Sequence, residues 1–133
     1  MTDREVDVLA IERLIAVQQD AFNAKDADLF ATPWRERSWA VSVTGIEVEG
    51  RDAMRAAAER GFAGPLADQF ALYRPGAVEF LGDDVAILHV YAQATDAAGA
   101  AVDVGDAMVA LYVVARGEDG WEIVARQNTL VGT

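Results

Sequence analysis

The chain has 133 residues, 53% of them hydrophobic, with no cysteine and a formal net charge of -11 from 22 acidic and 11 basic side chains. That length fits one domain, taken as residues 1–133, with one continuous core. The charge repels phosphate backbones and anionic lipid, which sets aside nucleic acid and membrane surfaces as partners, and the missing thiols remove disulfides and thiolate chemistry. No apolar run approaches the roughly 20 residues needed to cross a bilayer. The polar start Met1-Thr2-Asp3-Arg4-Glu5 lacks the basic head and apolar core of a secretory signal, so a cytoplasmic location is expected.

Residues 6–24 contain no Gly or Pro, and apolar side chains recur at Val6, Ala10, Leu14, Val17 and Ala21, widened by Val8, Ile11, Ile15 and Phe22. That spacing predicts a helix with a broad buried face. Thr2 and Glu5 stand at capping-box spacing before it. Asp26 is placed to N-cap a short second helix over residues 27–31, halted by Pro33. Residues 38–43 alternate with period two and predict a strand, and Thr44-Gly45 turns it toward a partner over 46–49. Gly50 opens a third helix over 51–60, with Gly61 in the place of a left-handed C-cap. Strands are predicted over 67–81, 84–95, 102–116 and 121–131, joined by Gly- and Asp-rich turns. Helices followed by hairpin-linked strands argue for an α+β fold, in which a long twisted sheet curls over the helices as a half-open cone.

Alternation sorts the side chains that can line the concave face. On the strand over 84–95 one face carries His89, Tyr91 and Gln93 with Val85 and Ile87, and the other carries Ala86, Leu88, Val90, Ala92 and Ala94. A hairpin turning near Ala98-Gly99 places Asp106 beside Tyr91 and Met108 beside His89, on the face of Tyr112. A mixed polar and apolar face suits a ligand pocket, so the His89 face is expected to point inward. The Ala/Leu/Val face suits packing or an interface between two copies, which makes a homodimer through the sheet the expected assembly. On the last strand a bulge at Gly120 would put Val124, Arg126 and Asn128 on the Tyr112 face, and its absence would put Ala125 and Gln127 there. The first register is preferred.

The order of elements resembles the nuclear-transport-factor-2-like, or SnoaL-like, superfamily across essentially the whole chain. Five local phrases carry the likeness: residues 24–30, 49–54, 62–65, 80–86, and Trp121-Glu122-Ile123 through Gln127-Asn128-Thr129, the last three resembling its SgcJ/EcaC-type subgroup. The resemblance implies a cone-shaped α+β fold and one small-molecule pocket. It leaves chemistry open, because the superfamily holds isomerases, dehydratases, epoxide hydrolases, cyclases and members that only bind or dimerise. Gln18 sits where the isomerases carry a tyrosine on the first helix. The Asp general base that ketosteroid-isomerase-like members place on the first strand has no counterpart in residues 39–43, where Ser42 is the nearest match. The hydrolase-like Asp–Arg–Asp arrangement is incomplete too, with Asp106 and Arg126 offering two of three.

Two readings therefore stay open. In one the protein is a cofactor-free enzyme of the isomerase, cyclase or hydrolase type acting on a small apolar, aromatic or polyketide-like metabolite. His89 or Asp106 would move a proton, while Tyr91, Tyr112 and Arg126 position an oxygen and Gln18, Trp39, Met108 and Asn128 line the ligand. In the other it is a non-catalytic ligand-binding or dimerisation module. The bland alternatives are a hydrogen-bonded structural histidine, an Asp106–Arg126 ion pair, tyrosines that only bury ring area, and Trp39 in the core. One His and no Cys give no metal motif, and no Gly-rich loop opens a helix, so no cofactor is expected.

Overall fold

The computed structural model describes residues 1–131. Helix α1 spans Asp3–Ala24, α2 Ala27–Ala31 and α3 Arg51–Ala63. The strands are β1 Trp34–Val41, β2 Glu47–Glu49, β3 Phe70–Pro75, β4 Glu79–Phe80, β5 Val85–Thr95, β6 Met108–Gly117 and β7 Gly120–Leu130. They form one sheet in the order β2-β1-β7-β6-β5-β3, with β4 also paired to β5. Among the described residues only the β1–β7 pairing is parallel. The sheet curves over the helices, as the α+β reading expects.

Local chemistry sets the helix ends. The Thr2 hydroxyl accepts the Glu5 N–H at 3.1 Å, capping α1. At the other end Lys25 adopts φ 58°, and Asp26 and Lys25 donate to the carbonyls of Ala21 and Phe22, the two-bond Schellman arrangement. The Asp26 carboxylate then caps α2 through the Leu29 N–H. The buried line of α1 is Ile11, Ile15, Gln18 and Ala21, whereas Val6, expected in the stripe, is exposed. Facing it are Ala86, Leu88 and Val90 of β5, Ala110, Tyr112 and Val114 of β6, and Trp121 and Ile123 of β7. Small residues on this sheet face let the helices approach closely, and Gln19 and Asn23 of α1 satisfy the free edge of β3 at Tyr73 and Ala71.

Four boundaries differ from expectation for physical reasons. β1 begins at Trp34, immediately after Pro33, because Trp34 pairs with Ile123 although polar Arg35, Glu36 and Arg37 hide the alternation. α3 runs through Gly61 to Ala63. Gly61 serves close packing rather than a turn, since an added Cβ would sit 3.0 Å from the Leu66 side chain. The strand expected over 67–81 is broken at Pro75-Gly76, where Gly76 donates to the His89 carbonyl at 2.7 Å and one extra residue enters before β4 resumes pairing. β6 starts at Met108. Thr95 bridges Ala101 and Ala92 pairs with Met108, so three steps along β5 face seven along the returning chain. The surplus residues loop out through Gly105, at φ 84°.

The hairpin end of the central strands β6 and β7 is clipped to α1 by Asp7. Its carboxylate accepts from both terminal nitrogens of Arg116, at 3.1 and 2.8 Å, and from the Trp121 indole at 3.1 Å. The Arg116 bonds, then the Trp121 bond, hold the Asp7 pKa below its usual 3.8. A carboxylate whose folded-state pKa is depressed adds stability above its unfolded value and loses it as pH falls through the folded value. Asp7→Asn is expected to unfold at lower urea concentration than wild type at pH 7, with the difference shrinking below pH 3.8. Urea titrations at pH 7 and in that acid range check this.

Candidate functional site

The expected inward face of β5 is the outward one. His89 is exposed opposite Leu111, and Tyr91 lies beside it with ring centroids 6.3 Å apart. Met108 was expected opposite His89 and is found opposite Ala92, three residues further along. An odd shift exchanges faces, so Tyr112 pairs with Leu88 inside while His89 and Tyr91 stay outside. Asp106 precedes β6 and sits on the outer side. Its carboxylate takes two bonds from Arg74, at 3.2 and 3.1 Å, with that guanidinium 4.8 Å from the Tyr91 ring. Its partner is thus Arg74, not Arg126. Trp39 also points outward, 46% exposed, because its neighbour Ala40 takes the inner position. The four side chains His89, Tyr91, Asp106 and Tyr112 do not meet in one hollow.

Gln18, Met108, Tyr112, Arg126 and Asn128 do face the helix side of the sheet. The bulge that brings the last two inward lies at Val124 rather than Gly120: Val113 pairs with Ala125 while Val114 pairs with Ile123. Arg126 therefore stands between Ala40 and Tyr112, and Asn128 stands beside Ala110. The Arg126 guanidinium carbon lies 5.3 Å from the Trp34 ring and 5.8 Å from that of Phe30. Its Nε and the Asn128 Oδ1 are both buried without a hydrogen-bond partner. Among the described residues no carboxylate forms an ion pair with Arg126. An unmet buried polar atom costs about 1–3 kcal/mol, more when charged, so this pair weighs against the stability of the fold.

Gln18 is differently placed. Fully buried, it donates Nε2–H to the Phe30 carbonyl at 2.7 Å and accepts the Trp34 indole N–H at 3.1 Å. Both ends of its amide are engaged by the protein, which makes it a brace rather than the ligand contact expected. Tyr73 and Tyr112 adjoin Arg126, and burial raises both phenol pKa values, against the opposing charge of Arg126. They are hydrogen-bond donors at ordinary pH, not bases. Ser42 is used locally, its hydroxyl accepting the Ile46 N–H at 3.1 Å. No inward residue named here is Asp, Glu or His. Among the described residues no cluster of three His, Cys, Asp or Glu side chains is arranged for a metal ion.

Trp34, Phe30 and Tyr73 belong to the site and were not among the expected residues. Trp34 shares even parity with Ser38 and Ala40, which is the signal that could have found it; Tyr73 lies on a strand whose break at Pro75 obscures its phase.

The site holds one polar cluster inside a cystatin-like α+β domain, and the domain's kinship agrees. A family model described as a SnoaL-like domain matches residues 4–127, and the chain belongs to that family. A domain of unknown function with a cystatin-like fold from Nostoc punctiforme superposes with TM-score 0.85 at 23% identity, covering 100% of this chain and 81% of that one. A nuclear-transport-factor-2-like protein from Novosphingobium aromaticivorans gives 0.75 at 22%, covering 94% and 82%. A ketosteroid isomerase-like protein from Erwinia carotovora gives 0.75 at 15%, covering 96% and 98%. Identities at this level establish the shared fold alone. No curated protein matches the chain. Among the described residues no helix is long and apolar enough to cross a membrane.

Gln18, fully buried, and Arg126, partly buried, should respond oppositely to apolar replacement. Gln18→Leu leaves the Trp34 N–H and the Phe30 carbonyl unmet and is expected to cost about 2 kcal/mol. Arg126→Met removes a charge without a carboxylate partner while keeping volume, and is expected to leave stability unchanged or raise it by about 1 kcal/mol. Chemical denaturation of both variants reads the signs directly.

Proposed function

We propose that the protein binds a small, largely apolar, oxygen-bearing molecule on the helix side of the sheet. Arg126, Asn128 and Tyr112 meet its polar atoms, and Trp34, Phe30 and Met108 its apolar body. The observation that carries this is the pair of buried, unpartnered atoms Arg126 Nε and Asn128 Oδ1 on one strand face. Stability alone would replace such a pair by apolar side chains, whereas a ligand that pairs both atoms gives a reason to keep them. Binding without acid–base turnover is the reading favoured, since the inward groups beside Arg126 are neutral phenols and an amide. The phrases over 80–86 and 121–129 support placement within the SgcJ/EcaC-type subgroup. Two-dimensional amide NMR with naphthols and aromatic ketones tests the site. Shifts are expected at Arg126, Asn128 and Tyr112, and shifts confined to His89, Leu111 and Gln127 would overturn it.

A second copy is the proposed partner of the outer face. The outward positions of β5 from Val85 to Gln93, of β6 from Val109 to Val113 and of β7 from Ala125 to Thr129 carry no Asp or Glu, in a chain with 22 of them. Leu111, 41% exposed, and Trp39 lie on this face, and a depression of about 250 Å³ opens between His89, Leu111 and Gln127. Two molecules of net charge -11 repel least where such faces meet. Sedimentation equilibrium is expected to give a dimer for the wild type and a monomer for Leu111→Asp. A wild-type monomer at micromolar concentration would contradict this.

A further inference from the structure

We infer that the ligand of the inner site is a monoanion: an apolar or aromatic carboxylate that also carries a hydrogen-bond donor. This rests on the small-molecule reading above and specifies its chemical class. Five arginines, Arg4, Arg35, Arg55, Arg74 and Arg116, form ion pairs with carboxylates. Arg51 donates to the Trp34 carbonyl, and Lys25 donates to the carbonyls of Leu66 and Gln69. Arg13, Arg37 and Arg60 are exposed to solvent, whereas Arg126 is partly buried against two aromatic rings and the Tyr112 phenol, with Nε unmet. A guanidinium cannot shed its proton inside a protein, so it cannot escape the penalty by neutralising. A carboxylate laid along the Nε edge would satisfy it through two parallel N–H···O bonds.

The remaining groups narrow the class. Asn128 Oδ1 accepts and a carboxylate has no hydrogen to give, so the ligand needs a separate donor, such as a hydroxyl. Residues two apart on one strand face are about 7 Å apart, which sets the distance from acid group to donor. The Phe30, Trp34 and Tyr112 rings favour a flat apolar body between them. The net charge of -11 opposes entry of multiply charged anions, and a lone guanidinium offers no second cation to hold them. Phosphates and dicarboxylates are disfavoured on both counts.

Isothermal titration of the wild type at pH 7.5 with 6-hydroxy-2-naphthoate, its neutral carboxamide and unsubstituted 2-naphthoate tests this. The hydroxy acid is expected to bind about tenfold or more tightly than the carboxamide, and to outbind 2-naphthoate. Arg126→Met should abolish the preference for acid over amide, Arg126→Lys should keep part of it, and Asn128→Leu should remove only the hydroxyl's advantage. Equal affinity of acid and carboxamide for wild type, with NMR shifts at Arg126, would overturn the anion inference and leave small-molecule binding standing. No binding by any of the three at millimolar concentration would overturn both.

Discussion

The side-chain amide of Gln18 ties three elements together at a point that water does not reach. From α1 it holds the Phe30 carbonyl near the end of α2 and the indole of Trp34 at the start of β1. Neither partner has a solvent alternative, so the bend from α2 through Pro33 into β1 is held by hydrogen bonds whose loss would leave polar atoms stranded. The same contact orients the Trp34 ring, and that ring is one wall beside the Arg126 guanidinium. Brace and candidate site are thus consecutive layers of one arrangement. The first is satisfied within the protein, and the second is not.

Two irregularities in the sheet decide which chemistry sits beside that wall. The bulge at Val124 rotates the end of β7 so that Arg126 and Asn128 turn toward the helices, while Ala125 and Gln127 turn away. The loop through Gly105 advances the β5–β6 register by an odd step and leaves His89 and Tyr91 outside. A strand has a side-chain period of two, so each displacement exchanges the polar set on one face for that on the other. The outer face of β5, β6 and β7 consequently carries an imidazole, one phenol and aliphatic side chains, with Asp106 paired to Arg74 at its margin. The inner face carries one cation within an aromatic and aliphatic lining.

Charge is distributed by the same division. The acidic excess is spent on the surface, where Asp7, Asp106 and Glu122 pair with arginines at the sheet's margins. Arg126 departs from that pattern in being partly buried without an acidic partner, and its position beside Tyr73 and Tyr112 gives the interior two neutral phenols and one fixed positive charge. Such a set can hold an oxygen atom or an anion and lacks a group to take a proton from carbon.

The helix α1 with its Thr2 cap, the Asp26 cap of α2, the stop at Pro33 and the hairpin turn at Gly117–Gly120 were all legible in the sequence, because each depends on residues within a few positions of one another. So was the α+β order, and with it the family. The inward sense of the His89 face was misread because polarity mixed with apolar side chains describes a wet outer sheet as well as a pocket. Only tertiary packing separates them: the helices cover the face whose small residues, Ala86, Ala92 and Ala110, let them approach. Trp34 was hidden behind three charged neighbours, and Asp106 found Arg74 only through a loop whose length no local rule sets. Local hydrogen bonding and periodicity thus determined the elements, while the register between strands, which depends on bulges and on what covers each face, determined the site.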